Sequence, residues 1–287
     1  MGHPAYMDLA VPVAHWLCID KINKILRCVC FTCGALLIDR KDPKIIRRFS
    51  RYQKSKTNRL TVISTFCKGR TCIASHDGVV CGAPQPVYGR SGPYLTCTFP
   101  EGTVFESEEE EKWSRRKFTA AIARDILSNI SDEDCKFIGL NPKQTRPEWL
   151  ILVTISVPPP LIRPTTSISD GSRTKGHDDL TSLLREISKY NMKLKELQKQ
   201  YAERVQQGTV TPEYEKEYQK LFDLNKHELV VQLAVYFDKD GGAGTSQMSL
   251  GGTGVMRNTR SRQHLRNGPL RSLGKRMGGK KGRIRTS

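Results

Sequence analysis

Four cysteines stand in a spacing that fits metal ligation. Cys30 and Cys33 form a C-x2-C pair, and Cys72 and Cys81 follow at a distance. Thiolates are strong ligands for zinc, and two pairs drawn from separate chain segments complete a tetrahedral site. Gly34, directly after Cys33, lets the backbone fold around an ion. The second pair encloses eight residues, wider than a ribbon motif. Spacing alone therefore leaves two readings open, a zinc site and a set of buried free thiols. The chain has nine cysteines, and its start, Met1-Gly2-His3-Pro4, has no signal-peptide layout. That combination points to a reducing compartment, where metal binding outranks disulfides.

Other residues with chemical potential read as structural. Asp238-Lys239-Asp240-Gly241 begins like a calcium loop but lacks the later ligands and the terminal glutamate. Asp178-Asp179 reads as a helix start rather than a carboxylate dyad, and His177 beside it has no recognisable nucleophile. There is no Gly-rich phosphate loop and no nucleophile elbow, so no catalytic residue is expected.

The elements that must position the cysteines are read from hydrophobic period. Residues 1–38 read as a helix, with Ala14, Leu17, Ile22, Ile25 and Leu26 near helical spacing, followed by a cysteine turn. Residues 39–100 read as basic loops and short β-rich pieces such as Leu60–Phe66. Trp113 to Leu127 reads as a helix with Phe118, Ile122 and Ile126 on one face, and Ser131-Asp132-Glu133-Asp134 as the cap of another. Trp149–Val157 reads as a buried strand, after which Pro158-Pro159-Pro160 forces an extended path. Residues 166–178 read as a mobile loop.

From Asp179 a long helix is expected, with Leu180, Leu183, Leu184, Ile187, Leu194 and Leu197 at three-four spacing. Gly208 ends it, and Thr211-Pro212 supplies an N-cap and a first-turn proline for a second helix carrying Tyr214, Tyr218, Leu221 and Phe222 to about Phe237. A short connection between two long helices implies an antiparallel hairpin.

Charge narrows the class of partner. The chain of 287 residues carries a net charge of +18, a pI near 9.6 and a mean hydropathy of −0.49. Eleven Lys or Arg and no Asp or Glu lie between Gly241 and Ser287, a stretch that also holds eleven glycines. A second basic block runs from Arg40 to Arg70, and an acidic run from Glu106 to Glu111 reads as a solvated loop. A polyanion, nucleic acid foremost, is the expected partner; a ribosome-like or membrane-surface role is the fallback. No stretch is long and apolar enough to span a bilayer.

Taken in order, these features resemble a known family. Leu26-Arg27-Cys28-Val29-Cys30-Phe31-Thr32-Cys33-Gly34, then Cys67-Lys68-Gly69-Arg70-Thr71-Cys72, then Val80-Cys81-Gly82 with Gln85-Pro86, are similar to the zinc segment of a polymerase clamp. Arg146-Pro147-Glu148-Trp149, the apolar run to Val157, Pro158-Pro159-Pro160-Leu161-Ile162-Arg163-Pro164 and Asp178-Asp179-Leu180 follow in the same order. The whole resembles the clamp region of the largest subunit of multisubunit DNA-directed RNA polymerases, nearest the eukaryotic RNA polymerase II type and its large-DNA-virus relatives.

The resemblance implies an α+β fold: an irregular zinc-binding clamp module of short strands and helices over 1–165, a lid-like loop over 166–178, a helical hairpin matching the clamp coiled coil over 179–240, and a basic loop-rich tail over 241–287. It implies zinc ligation by Cys30, Cys33, Cys72 and Cys81, with Cys28 and Cys67 nearby but not ligands, and Cys18, Cys97 and Cys135 as buried thiols. His3 matches the last ligand of a second family zinc site whose three cysteines are absent here.

In the tail, Gly244 to about Arg271 matches the rudder, and Arg276 to Arg285 the start of a switch region that grips template DNA. Gly278 stands where the family has lysine and Lys281 where it has glutamate. The nucleic-acid contacts implied are Arg271, Lys275, Arg276, Lys280, Lys281, Arg283 and Arg285.

The implied function is DNA-directed RNA synthesis in a nuclear complex, or at a viral cytoplasmic site or in a virion. Other polymerase subunits, template DNA, the RNA–DNA hybrid and transcription factors at the hairpin would be its partners. The family's catalytic aspartate loop and its magnesium are expected elsewhere, leaving this chain inactive alone. A free-standing zinc-containing nucleic-acid-binding or factor-docking protein derived from a clamp is the alternative.

Overall fold

The computed structural model describes residues 2–50, 56–76, 79–100, 118–167, 175–238 and 272–273. It is a mixture of helices and small two-stranded sheets that divides into two compact units, one of residues 12–152 and one of residues 1–11 with 153–287. The first strand, β1 (Ala5–Ala14), pairs with β6 (Ile151–Val157), and the division passes through both strands.

Unit 12–152 is built around α1 (Ile19–Leu26). Ile19, Ile22, Ile25 and Leu26 recur at three-to-four spacing and are at most 1% exposed, while Asp20 and Lys21 face solvent. Each such aliphatic side chain contributes about 1.5–3 kcal/mol when fully buried. After α2 (Pro43–Ser50), α3 (Lys56–Phe66) adds Leu60 and Ile63 to the same core. A short ladder, β2 (Ser75–His76) with β3 (Val79–Val80), precedes a hairpin of β4 (Val87–Ser91) and β5 (Tyr94–Thr98), which contributes Tyr88 and Leu95.

Two short capped helices complete the core. In α4 (Ala120–Ser128) the Thr119 hydroxyl accepts from the Ile122 amide. In α5 (Asp132–Ile138) the Ser131 hydroxyl accepts from the Asp134 amide at 3.1 Å, and Gly139 ends the helix at φ 99°. Arg40 bridges to Asp134 at 2.9 Å and to Glu133, pinning the acidic first turn of α5.

Unit 1–11 with 153–287 carries a brief ladder of β7 (Thr166–Ser167) with β8 (Lys175–Gly176), then α6 (Asp179–Gln206) and α7 (Pro212–Phe237). The Asp178 carboxylate caps α6 by accepting from the Leu180 amide at 2.9 Å. Thr211 caps α7, with Pro212 in its first turn, and Gly208 makes the reversal at φ 65°. The two helices pack side by side: Tyr201 stacks on Tyr218 with centroids 4.3 Å apart, and the Arg204 guanidinium lies 3.9 Å over the Tyr214 ring. As the chain advances along α6 it meets earlier positions of α7, which is the antiparallel arrangement.

Asn191 ties α6 to the first strand. It is 3% exposed; its Oδ1 accepts from the Ala10 amide at 2.7 Å and its Nδ2 donates to the Asp8 carbonyl at 2.8 Å. Positions two apart in a strand present their backbone groups on one edge, so a single carboxamide stands in for a paired strand. Gln198 adds a bond to the Ala10 carbonyl at 3.3 Å.

Several expectations from the sequence are corrected. The first element is a strand, not a helix; Val11 and Val13 alternate inward, and a 3-10 turn at Trp16–Cys18 leads into α1 at Ile19. Leu60–Phe66 is helical despite its β-branched residues, because Leu60 and Ile63 lie on one helical face of the core. The hydroxyls of Ser64 and Thr65 also turn back to the Thr61 carbonyl. Pro147–Leu150 is a 3-10 turn with Trp149 exposed, and β6 is half-buried, with Ile151 and Ile155 inward.

Residues 166–167 and 175–176 pair as strands within the stretch read as a mobile loop, while 168–174 lie outside the described residues. On α7, Leu221 is exposed and the buried stretch is Leu229–Ala234 with Tyr236. Residues 113–117 of the expected Trp113–Leu127 helix also lie outside the described residues.

Two outcomes follow from this packing. Asn191→Ala lowers stability to chemical denaturation by about 1–3 kcal/mol, because it strands two backbone groups, whereas exposed Lys195→Ala shifts it by no more than about 0.5 kcal/mol. Burial raises the Cys135 thiol from its ordinary 9.0 to about 11. Its neutral form therefore favours the fold, a contribution complete below pH 9.0 and lost as pH rises towards about 11. Cys135→Ala flattens that alkaline limb in denaturation measured across the same pH range.

Candidate metal centre

Two tight backbone turns present the four candidate thiols. In the first, the Cys30 amide donates to the Ala35 carbonyl at 2.8 Å, the Gly34 amide to the Cys30 carbonyl at 3.1 Å, and the Leu37 amide to the Cys28 carbonyl at 3.0 Å. Gly34 makes the reversal at φ 73°, and a Cβ there would stand 2.6 Å from the Asn129 Cβ. Only glycine satisfies both constraints.

The second turn explains the wide spacing of the other pair. The Cys81 amide donates to the Ala74 carbonyl at 2.8 Å, the Gly82 amide to the Cys72 carbonyl at 3.2 Å, and the Cys72 amide to the Ala83 carbonyl at 3.3 Å. The β2–β3 ladder, Ser75 opposite Val80 and His76 opposite Val79, lies inside this loop of eight residues, and its base holds Cys72 beside Cys81. Gly82, at φ 59°, makes the reversal here as Gly34 does in the first turn.

The Sγ atoms of Cys30, Cys33, Cys72 and Cys81 lie within 4.8 Å of one another. Cys30 to Cys81 is 3.9 Å and Cys33 to Cys72 is 3.6 Å, each contact joining one turn to the other. Sulfurs placed tetrahedrally about 2.3 Å from a central ion are separated by about 3.8 Å. The donor set, its closed geometry and its buried or half-buried setting fit a structural zinc ion.

Electrostatics points the same way. Burial raises the Cys30 thiol, but hydrogen bonds from the Cys33 and Thr32 amides and from Gln85 outweigh it and leave Cys30 below its ordinary value. Burial pushes Cys33 up to about 11 and Cys72 well above the usual thiol range. Several thiolates this close in a desolvated pocket repel one another, so full deprotonation is opposed without a cation. A divalent metal removes that conflict.

The chain matches the family described as RNA polymerase Rpb1, domain 1, over residues 1–212. It belongs to that family. It is also 34% identical over 202 residues to the DNA-directed RNA polymerase II subunit RPB1 of Euplotoides octocarinatus, an alignment covering 68% of this chain and 40% of that protein. The Rpb1 domain 1 match takes in the four-cysteine cluster and all of α6.

Among the described residues, the four grouped cysteines are those singled out from the sequence. The other five thiols of this Rpb1-family chain stand outside the group, and none of the nine cysteines forms a disulfide. Cys28 and Cys67 are buried together, the Cys67 thiol directed at the Cys28 carbonyl at 3.8 Å. His3 is exposed and is not one of the grouped side chains. Arg271, Lys275, Arg276, Lys280, Lys281, Arg283 and Arg285 lie outside the described residues. Gln85, quoted from the sequence only as part of a motif, is drawn into the site by hydrogen bonds to Phe31 and Cys30.

Metal titration monitored by the near-ultraviolet charge-transfer band of cobalt(II) thiolate should show one ion per chain. Cys30→Ser or Cys72→Ser weakens that band and lowers metal affinity, and Cys135→Ser leaves both unchanged. Because bound thiolates must shed their protons, affinity falls as pH is lowered.

Proposed function

We propose that this chain forms the zinc-stabilised clamp of the largest subunit of a DNA-directed RNA polymerase, closing over DNA and the RNA–DNA hybrid during transcription. The observation that carries the reading is the four-thiol cluster, formed by two separate turns within the matched Rpb1 domain 1. The chain spans 40% of the length of its relative, which is named as a subunit of DNA-directed RNA polymerase II, so catalysis would belong to a larger assembly. Phosphoryl transfer would use magnesium held by other residues of that assembly.

In this reading zinc is structural. Cys30 and Cys33 hold one turn, Cys72 and Cys81 the other, and the ion cross-links them without taking part in a reaction. The α6–α7 hairpin would be the clamp coiled coil, offering Arg185, Lys189 and Lys193 to initiation and elongation factors. The 166–178 loop would act as the lid and the stretch after Gly241 as the rudder. Arg271, Lys275, Arg276, Lys280, Lys281, Arg283 and Arg285 would neutralise phosphates, positioning nucleic acid without reading its sequence. His3 would contribute to a second zinc site completed by other residues. The nucleus is the expected location, as the RNA polymerase II relative supports.

Affinity purification of the tagged chain from its native source, followed by mass spectrometry, tests the assignment. Recovery of other polymerase subunits is expected; their absence from a zinc-loaded chain would overturn it in favour of a free-standing nucleic-acid-binding or docking protein. In DNA binding followed against salt, Arg283→Ala and Arg285→Ala each weaken affinity on every sequence and reduce the salt slope by about 1.

A further inference from the structure

Gln85 lies four residues beyond the last cysteine of the cluster and carries no ligand atom suited to zinc. Its carboxamide nevertheless touches both halves of the centre. The Oε1 atom accepts from the Phe31 amide at 2.9 Å, inside the first cysteine turn. The Nε2 atom donates to the Cys30 sulfur at 3.2 Å and to the Ala83 carbonyl at 2.8 Å. Ala83 in turn accepts from the Cys72 amide at 3.3 Å. One side chain thus links residues 30 and 31 of the first turn to the backbone that holds Cys72 in the second.

We propose that Gln85 is a positioning residue of the metal centre, fixing the Cys30 sulfur with an N–H donor and locking the two cysteine turns in register before an ion binds. The proposal rests on the four-cysteine zinc reading. An amide donor suits this position because it neutralises part of the thiolate charge without adding a competing proton or a ligand. A carboxylate would place a second anion against the sulfur. An aliphatic side chain would take the Gln85 acceptor away from the Phe31 amide and the donor away from the sulfur. Outer partners of metal ligands orient them and tune their donor strength, and losing one typically costs 10–100-fold in metal affinity.

The test uses the full chain and two variants. Gln85→Leu keeps roughly the side-chain size and removes both polar functions; Gln85→Glu keeps the acceptor for Phe31 and replaces the donor with negative charge. Zinc affinity is measured by competition with a chelator, and the cobalt(II)-loaded proteins are compared by the energy of their thiolate charge-transfer band. Both variants are expected to bind one ion about 10–100-fold more weakly. Their bands should move to lower energy as the sulfur loses its hydrogen bond, with Gln85→Glu the weaker binder.

A measurement on the unaltered chain guards against a folding defect in the variants. When the chain is labelled with nitrogen-15 and loaded with cadmium-113, the Gln85 side-chain amide should show scalar coupling to the metal across the N–H···S bond. Variants within twofold of the original affinity with an unmoved band, or no such coupling in the loaded original, overturn the role of Gln85 while the zinc site stands. Failure of the original chain to take up cobalt or zinc overturns the four-cysteine reading itself, and the proposal with it.

Discussion

Four thiols held within 4.8 Å of one another in a half-buried pocket form the constraint on which residues 12–152 turn. Four thiolates at that distance cannot share a desolvated site without a cation, and four neutral thiols gain little from the contact. A divalent ion bound there would convert this liability into a cross-link between Cys33 and Cys72, which are 39 positions apart. Such a clip would remove loop-closure entropy that a modest core would otherwise have to offset. The remaining elements of the unit are short, and α1 supplies the continuous apolar face against which the others settle.

The helical hairpin of the other unit is stabilised by different means at its two ends. Near the loop, rings and a guanidinium make the contact: Tyr201 on Tyr218, Tyr218 beside Phe222 at 5.6 Å, and Arg204 over Tyr214. Further along, Leu183, Leu184 and Ile187 of α6 and Leu229 to Ala234 of α7 are buried. The loop end therefore keeps polar and half-exposed surface while remaining ordered as helix.

Polar residues with buried partners set the fine geometry. Asn191 supplies a strand edge with the two hydrogen bonds it lacks, and Gln85 spans the two cysteine turns. Arg40 and Arg146 hold the acidic start of α5 from two directions, Arg40 at Asp134 and Glu133, Arg146 at Asp132. Asn191 and Gln85 satisfy backbone groups that would otherwise be stranded, so each specifies one arrangement over its neighbours.

The sequence by itself determined the features whose physics is local. Gly208 and Thr211-Pro212 mark the turn between α6 and α7 because a positive φ, a hydroxyl cap and a fixed proline φ act within a few residues. The start of α6 after Asp178 and the cap at Ser131 were legible for the same reason. The four grouped cysteines were legible as candidates through the Cys30-x2-Cys33 spacing, and the family resemblance, not the spacing, named all four as the ligand set.

Tertiary structure decided what depends on distant partners. Residues 5–14 become a strand because β6 pairs with them and Asn191, 183 positions from Asp8, satisfies their edge. Residues 56–66 become a helix because the core accepts Leu60 and Ile63 on one face, overriding their β-branched neighbours. Gln85 reaches Phe31 across 54 positions, and Gly34 is required as much by Asn129 as by its own turn. No pattern in a linear chain records which side chains its own folding will bring within 3 Å.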